Sequence, residues 1–203
     1  MQHPTGSRDT KGDIHRAAVH LFSTQGYERT SLREIAEQVG ITKASLYYHY
    51  SSKQDLLRAI IGTFLDEISE VLSSVETIPW SPEAEQEALR AYVDVVVAHR
   101  STGPTLLRDI TAVLAAFGDD LDALIARSRR FQLWLAGPNP TAADRLRAAA
   151  AVETVGAAMS TDVDLQATPA EVRAILLEAA TAVLSHRGQP VVLEQPSANP
   201  ASE

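Results

Sequence analysis

The chain reads as an all-α protein. Two observations carry that expectation: strand-like alternation is absent along its 203 residues, and one helix-start signal follows another. A third concerns function. Residues 31–53 form two short helical segments broken by one glycine, the second dense in polar side chains. The expected architecture is a three-helix N-terminal unit containing a helix-turn-helix, followed by a larger helical bundle, about nine helices in all. The expected boundaries are a flexible N-terminus over 1–8, a helix-turn-helix unit over 9–52, a connecting helix over 53–75, a larger helical body over 76–187, and a disordered tail over 188–203.

The elements follow in order. Thr10 with Asp13 caps a first helix whose apolar face is Ile14, Ala17, Ala18, Leu21 and Phe22, and Gly26 ends it. Ser31 with Glu34 is a capping box opening a second helix with the stripe Ile35, Ala36 and Val39. Gly40 suits the left-handed residue that closes it. Thr42 is an N-cap for the third, with Ala44 and Leu46 expected to face the core. Ser52 with Asp55 starts a fourth at Lys53, apolar from Leu56 to Val75 over more than five turns.

After a break at 77–82, Ser81-Pro82 reads as an N-cap followed by proline in the first helical position. That helix runs to His99-Arg100. Gly103-Pro104 precedes the next, Gly118 interrupts, and a further stretch runs to Ala136 before the stop at Gly137-Pro138-Asn139-Pro140. Thr141 with Asp144, and Thr168-Pro169 with Glu171, start the last two helices, and the tail beyond Gly188-Gln189-Pro190 is polar and proline-rich.

The third helix is where chemistry concentrates. In a helix-turn-helix the second helix enters the major groove, and its N-terminal residues meet base edges. Lys43 can donate to guanine O6 or N7, and Ser45 serves either polarity of partner. Tyr47 and His49 suit phosphate oxygens. Arg33 is long enough to reach a base or a phosphate, and Lys53 with the free amides of its helix start forms an anion site.

These residues resemble the TetR family of bacterial transcription regulators. The resemblance runs from Ile14 to about Ile61. It includes Gly26-Tyr27, Ile35-Ala36-Glu37-Gln38-Val39-Gly40-Ile41, Leu46-Tyr47-Tyr48-His49-Tyr50 and Lys53-Gln54-Asp55-Leu56-Leu57. Carried onto matching positions, it implies DNA contacts at Arg33, Thr42, Lys43, Ala44, Ser45, Tyr47, His49 and Lys53, with Tyr48 beside them. It further implies a homodimer reading a pseudo-palindromic operator in double-stranded DNA, with a small-molecule effector, most simply as a repressor. A ligand-dependent activator and a corepressor-requiring regulator are the alternatives.

Charge distribution fits a local DNA patch. The net charge is −8, yet residues 1–60 carry +2 while residues 61–203 carry −10. Phosphate affinity is expected from the N-terminal unit alone, with the acidic body repelling DNA. Zero cysteines excludes disulfides and thiolate metal sites. No apolar run reaches membrane-spanning length, so the expected location is the bacterial cytoplasm, with no membrane partner.

The last two helices are apolar nearly all round, as expected of helices buried on more than one side. Val152, Gly156, Met159, Ile175, Leu176, Ala179 and Val183 are the candidate dimer interface; burial inside one protomer is the alternative. Polar or aromatic residues within apolar helices are the candidate pocket: Tyr92, His99, Arg108, Phe131, Trp134 and Glu153, with Asp109, Thr111 and Phe117 of the same kind. Each is more readily a core or interface residue than a ligand contact. Catalysis is not expected. The chain has no phosphate-binding glycine loop, no cysteine nucleophile and no Glu-x-x-His pair, and Asp162-x-Asp164 lacks the rest of a calcium loop. No metal or cofactor is expected. A purely structural helical protein is the remaining alternative, and Lys43, Tyr47 and His49 argue against it.

Overall fold

The computed structural model describes residues 9–103, 109–160 and 167–189. Among them are eight α-helices and two short 3-10 turns, with no strand. In chain order they are α1 (Thr10–Gln25), α2 (Leu32–Val39), α3 (Lys43–His49), α4 (Lys53–Ser74), α5 (Pro82–Ala98), α6 (Ile110–Leu135), α7 (Ala142–Ser160) and α8 (Pro169–Leu184).

Helices α1 to α3 and the start of α4 enclose one core. Ile14, Ala18, Phe22, Ile35, Leu46, Leu56, Leu57 and Ile61 are fully buried in it. Deleting any of the large ones, Leu46→Ala for example, would cost about 2–5 kcal/mol through lost transfer energy and a cavity. The ends are set by the expected chemistry. Ser31 and Glu34 form a reciprocal capping box, and Gly40 lies at φ 74°, where a side chain would be strained. At α1 the cap differs from the Thr10/Asp13 reading. Asp9 is the N-cap, accepting from the Gly12 amide at 3.0 Å, and Thr10 is already helical.

Helix α4 runs from this unit into the body, where α5 and α6 pack against it. The interruption expected at Gly118 falls one residue earlier: within Ile110–Leu135 two helical stretches meet across a kink at Phe117 (φ −135°, ψ 18°). Arg58 on α4 donates to the Ala116 carbonyl beside that kink at 3.3 Å. The α5 start behaves as read, with Ser81 accepting from the Ala84 amide and Pro82 in the first turn.

Helices α7 and α8 pack on each other and against α5. Ala148, Ala151, Val152, Val155 and Ala158 of α7 and Val172, Ala180 and Leu184 of α8 are buried within the protomer. Small side chains face inward because α7 lies close against its neighbours, leaving the larger Leu146 (72 % exposed) and Ile175 (60 %) outward. No helix among the described residues is long and apolar enough to cross a membrane.

Candidate nucleic-acid interface

Helix α3 stands on the surface on one buried foot, Leu46. Thr42 caps it, its hydroxyl accepting from the Ser45 amide at 3.1 Å. A seven-residue helix is too short to persist alone, so packing through Leu46, Ile41 and the flanking Tyr50 holds it in place. Tyr50 is buried and its hydroxyl bonds His15 Nε2 on α1 at 2.5 Å, tying the far end of α3 to the unit's core. Burial, then the nearby Lys11, pushes the His15 pKa down, so that imidazole favours its neutral form.

The outward residues are the ones a groove would meet. Lys43, Ala44, Tyr47, Tyr48 and His49 are exposed, with Tyr48 87 % accessible and Tyr47 45 %. Ala44, expected to face the core, is on the outer side instead; the turn aims it away from Leu46. Tyr48 does not pack inward either. Its ring meets the His49 imidazole edge-on at 5.4 Å, and the Lys43 ammonium lies 5.4 Å from the Tyr47 ring centre. Arg33, Lys43, Tyr47, Ser51 and Ser52 help line a groove of about 520 Å³ between α2, α3 and the α4 start. Arg33 pairs with Glu37 one turn along α2 at 2.7 Å. Both ends of that pair are exposed, so it is a weak contact that phosphate can replace.

Lys53 behaves differently from the expected phosphate ligand. Its ammonium donates to the carbonyls of Tyr27 (2.8 Å), Thr30 (3.1 Å) and Glu28 (3.3 Å), and lies 4.2 Å from the Tyr27 ring centre. Three donors meet three acceptors, leaving none for a phosphate unless an internal bond is given up. One amide of the anion site expected at the α4 start is already used. Ser52 accepts from the Asp55 amide, and the Asp55 carboxylate bonds the Ser51 hydroxyl. The two serines hold the Asp55 carboxyl below its ordinary pKa.

In the body, the structure brings two of the six expected pocket residues together. Tyr92 is buried, its ring 5.5 Å from that of fully buried Phe131, whereas Glu153 is exposed. Burial, then Glu153, raises the Tyr92 pKa. Trp134 is instead a brace, its Nε1 donating to the Ile78 carbonyl at 2.9 Å. His99 sits apart, bonding Glu67 at 2.9 Å in a cleft of about 590 Å³ between α1, α4 and the end of α5. Arg108 lies outside the described residues.

Of the expected interface residues, Val152 is buried inside the protomer. Gly156, Met159, Leu176, Ala179 and Val183 are half-covered, and Ile175 is open. Leu146, absent from the expected set, is the larger exposed apolar group on α7. Its signal was a leucine set among arginines, Arg145-Leu146-Arg147, where a stripe drawn by period alone gave no solvent side.

A capped, glycine-terminated α2, a short exposed α3 and one shared core define a helix-turn-helix unit. The profile of the family described as bacterial regulatory proteins, tetR family, matches residues 14–60. The chain is 40% identical over 62 residues to the negative transcriptional regulator IcaR of the biofilm operon of Staphylococcus aureus, covering 30% of this chain and 33% of the relative. It is 30% identical over 100 residues to the transcriptional activator FasR of Mycolicibacterium smegmatis, covering 49% and 45%. The alignments thus span a third to under half the length of these relatives. Over the whole fold, it superposes on the crystal structure of Mycobacterium smegmatis AmtR with a TM-score of 0.62 at 27% identity, covering 93% of this chain and 92% of that one. Residues 14–60 thus carry the N-terminal unit of the tetR family of bacterial regulatory proteins, and the fold as a whole is similar to that of AmtR.

Proposed function

We propose that the protein is a homodimeric, sequence-specific repressor that acts in the bacterial cytoplasm and is released from a pseudo-palindromic operator by a small molecule. The observation that carries the DNA-reading role is the exposure of Lys43, Tyr47, Tyr48 and His49 together on a helix anchored by Leu46. Side chains that large and that accessible, on a fixed short helix, have no internal task. Repression follows the relative described as a negative regulator. Activation is the second reading, favoured by the relative described as an activator.

Dimerisation rests on the outward faces of α7 and α8. Leu146, Ala150 and Ala157 on one, with Ala174, Ile175 and Ala182 on the other, are solvent-facing apolar positions on adjacent helices. Their pairing across a two-fold axis would bury both large side chains. The effector site rests on Tyr92, whose buried hydroxyl has no hydrogen-bond partner among the described residues and whose ring lies against Phe131. A buried hydroxyl without a partner is costly, and a ligand acceptor would relieve it.

Selection of bound sequences from a random duplex pool at about 0.15 M salt, near physiological ionic strength, tests the reading. The expected result is a two-fold symmetric consensus that decays when Lys43→Ala is selected in parallel. Absence of any enriched sequence, with and without cell extract as a source of effectors, would refute DNA reading by α3.

A further inference from the structure

Asp109 occupies the N-cap position of α6, where an aspartate ordinarily turns its carboxylate onto the first amides of its own helix. Here it makes no such bond. Its Oδ2 accepts instead from the Tyr27 amide at 2.7 Å, 82 positions away, in the turn between α1 and α2. The carbonyl of the same residue is held by the Lys53 ammonium. Tyr27 is therefore gripped at both ends of its backbone by opposite charges, the anion from the body and the cation from the start of α4.

The turn that Tyr27 occupies leads straight into the reading helices. Thr30 closes it, its hydroxyl donating to the Gly26 carbonyl at 2.8 Å, and Ser31 is the α2 cap. The Tyr27 ring packs edge-on against Phe22 at 5.2 Å, so the turn moves only with the whole unit. Beyond Asp109, α6 carries the kink at Phe117 and, further on, Phe131 against Tyr92. A displacement of α6 thus acts on the DNA-reading unit directly at Tyr27, besides any route along α4.

We propose that Asp109 is a positioning residue for DNA reading, fixing the orientation of α2 and α3 relative to the body and thereby the separation of the two α3 helices in a dimer. This inference rests on the DNA-reading function proposed above. A carboxylate-to-amide bond is charge-assisted and directional, so it suits an angular constraint better than apolar packing does.

The test is a spacing profile. Once selection has defined the operator, affinities of the full-length parent, Asp109→Ala and Asp109→Asn are measured on duplexes whose half-sites are moved apart or together by single base pairs. The parent should discriminate sharply. Asp109→Ala should lose roughly tenfold of that discrimination, the scale of one charge-assisted hydrogen bond, while base preference within each half-site stays unchanged. Asp109→Asn, which keeps an acceptor oxygen, should recover most of it.

General destabilisation would lower the active fraction without changing the profile, so an unaltered profile in Asp109→Ala overturns the proposal. Should that variant not fold, amide exchange of the parent decides. A Tyr27 amide exchanging as fast as an open loop overturns the proposal, and strong protection supports it. If the parent enriches no two-fold site, DNA reading itself fails and the role of Asp109 falls with it; an operator with an unchanged profile removes only Asp109.

Discussion

Arg187 reaches Glu85 across 102 positions of sequence and joins the end of α8 to the start of α5. The same guanidinium donates to the Leu135 carbonyl at 2.6 Å and lies 4.9 Å from the centre of the Trp80 ring. One side chain thereby ties together the starts and ends of four segments. Its planar fork holds the carboxylate and the carbonyl in fixed directions while its face meets an aromatic ring, an arrangement that lysine's freely rotating ammonium does not fix.

Arg187→Ala should therefore destabilise the body by about 2–4 kcal/mol, because it leaves the largely covered Glu85 carboxylate without its cation, held by the Trp80 indole N–H at 3.2 Å. Arg187→Lys should recover only part of this. Urea unfolding followed by circular dichroism checks both, and a loss under 0.5 kcal/mol would show that the pair is too solvated to matter.

Lys43 and Lys53, ten positions apart, should separate cleanly. Lys43→Ala should leave stability unchanged and cost about 1–3 kcal/mol of discrimination at one base position. Lys53→Ala should lower stability by about 1.5–3 kcal/mol, the scale of hydrogen bonds to a charged group. Thermal melts beside operator titrations read both. A Lys53→Ala protein that melts like the parent yet binds all DNA more weakly would return Lys53 to the phosphates.

If the proposed dimer forms through α7 and α8, Ile175→Arg on the open face of α8 should give a monomer without reducing helicity, since the position contributes little to the protomer core. Sedimentation velocity at micromolar concentration is the measurement. A dimer that persists in Ile175→Arg, and again in Leu146→Arg, would move the interface elsewhere.

Asp144 sets an acid limb. Its carboxylate accepts from the Thr141 hydroxyl (2.6 Å), the Gly188 amide (2.9 Å), the Thr141 amide (3.0 Å) and Arg147 (3.2 Å). Led by the Thr141 hydroxyl, these hold its carboxyl far below the ordinary value of 3.8. Because the folded pKa is depressed, the stabilisation is complete above the unfolded value and is lost as pH falls through the folded one. Stability measured from pH 5 downward should drop below 3.8, and Asp144→Asn should be less stable at neutral pH with a shallower drop. Parallel curves for the two proteins would contradict this role.

The N-terminal unit was legible because its signals are local. Ser31 with Glu34, Gly40, Thr42 and Ser52 with Asp55 each act within one turn of helix, so caps and ends can be read three residues at a time. The exposure of Tyr47 and His49 followed from the same local periodicity. Lys53 shows where that reading stops. Lysine at a helix start suggests an anion, and nothing nearby in sequence reveals that the carbonyls of residues 27, 28 and 30 fold back to within 3.3 Å.

The body was harder for a related reason. Helices rich in alanine carry almost no amphipathic contrast, so the chain could not say which side of α7 faces inward. Packing against α5, α6 and α8 chose Ala148, Ala151 and Val155 and left Leu146 outside. Asp109 drew notice only as a polar residue in apolar surroundings, and its partner lies 82 positions away. Helical identity, caps and the reading face belong to the chain itself, because short-range hydrogen bonds and the 3.6-residue period decide them. Which faces are buried, where Lys53 and Asp109 point, and how the reading unit sits on the body were decided by contacts between segments far apart in sequence, which no local pattern encodes.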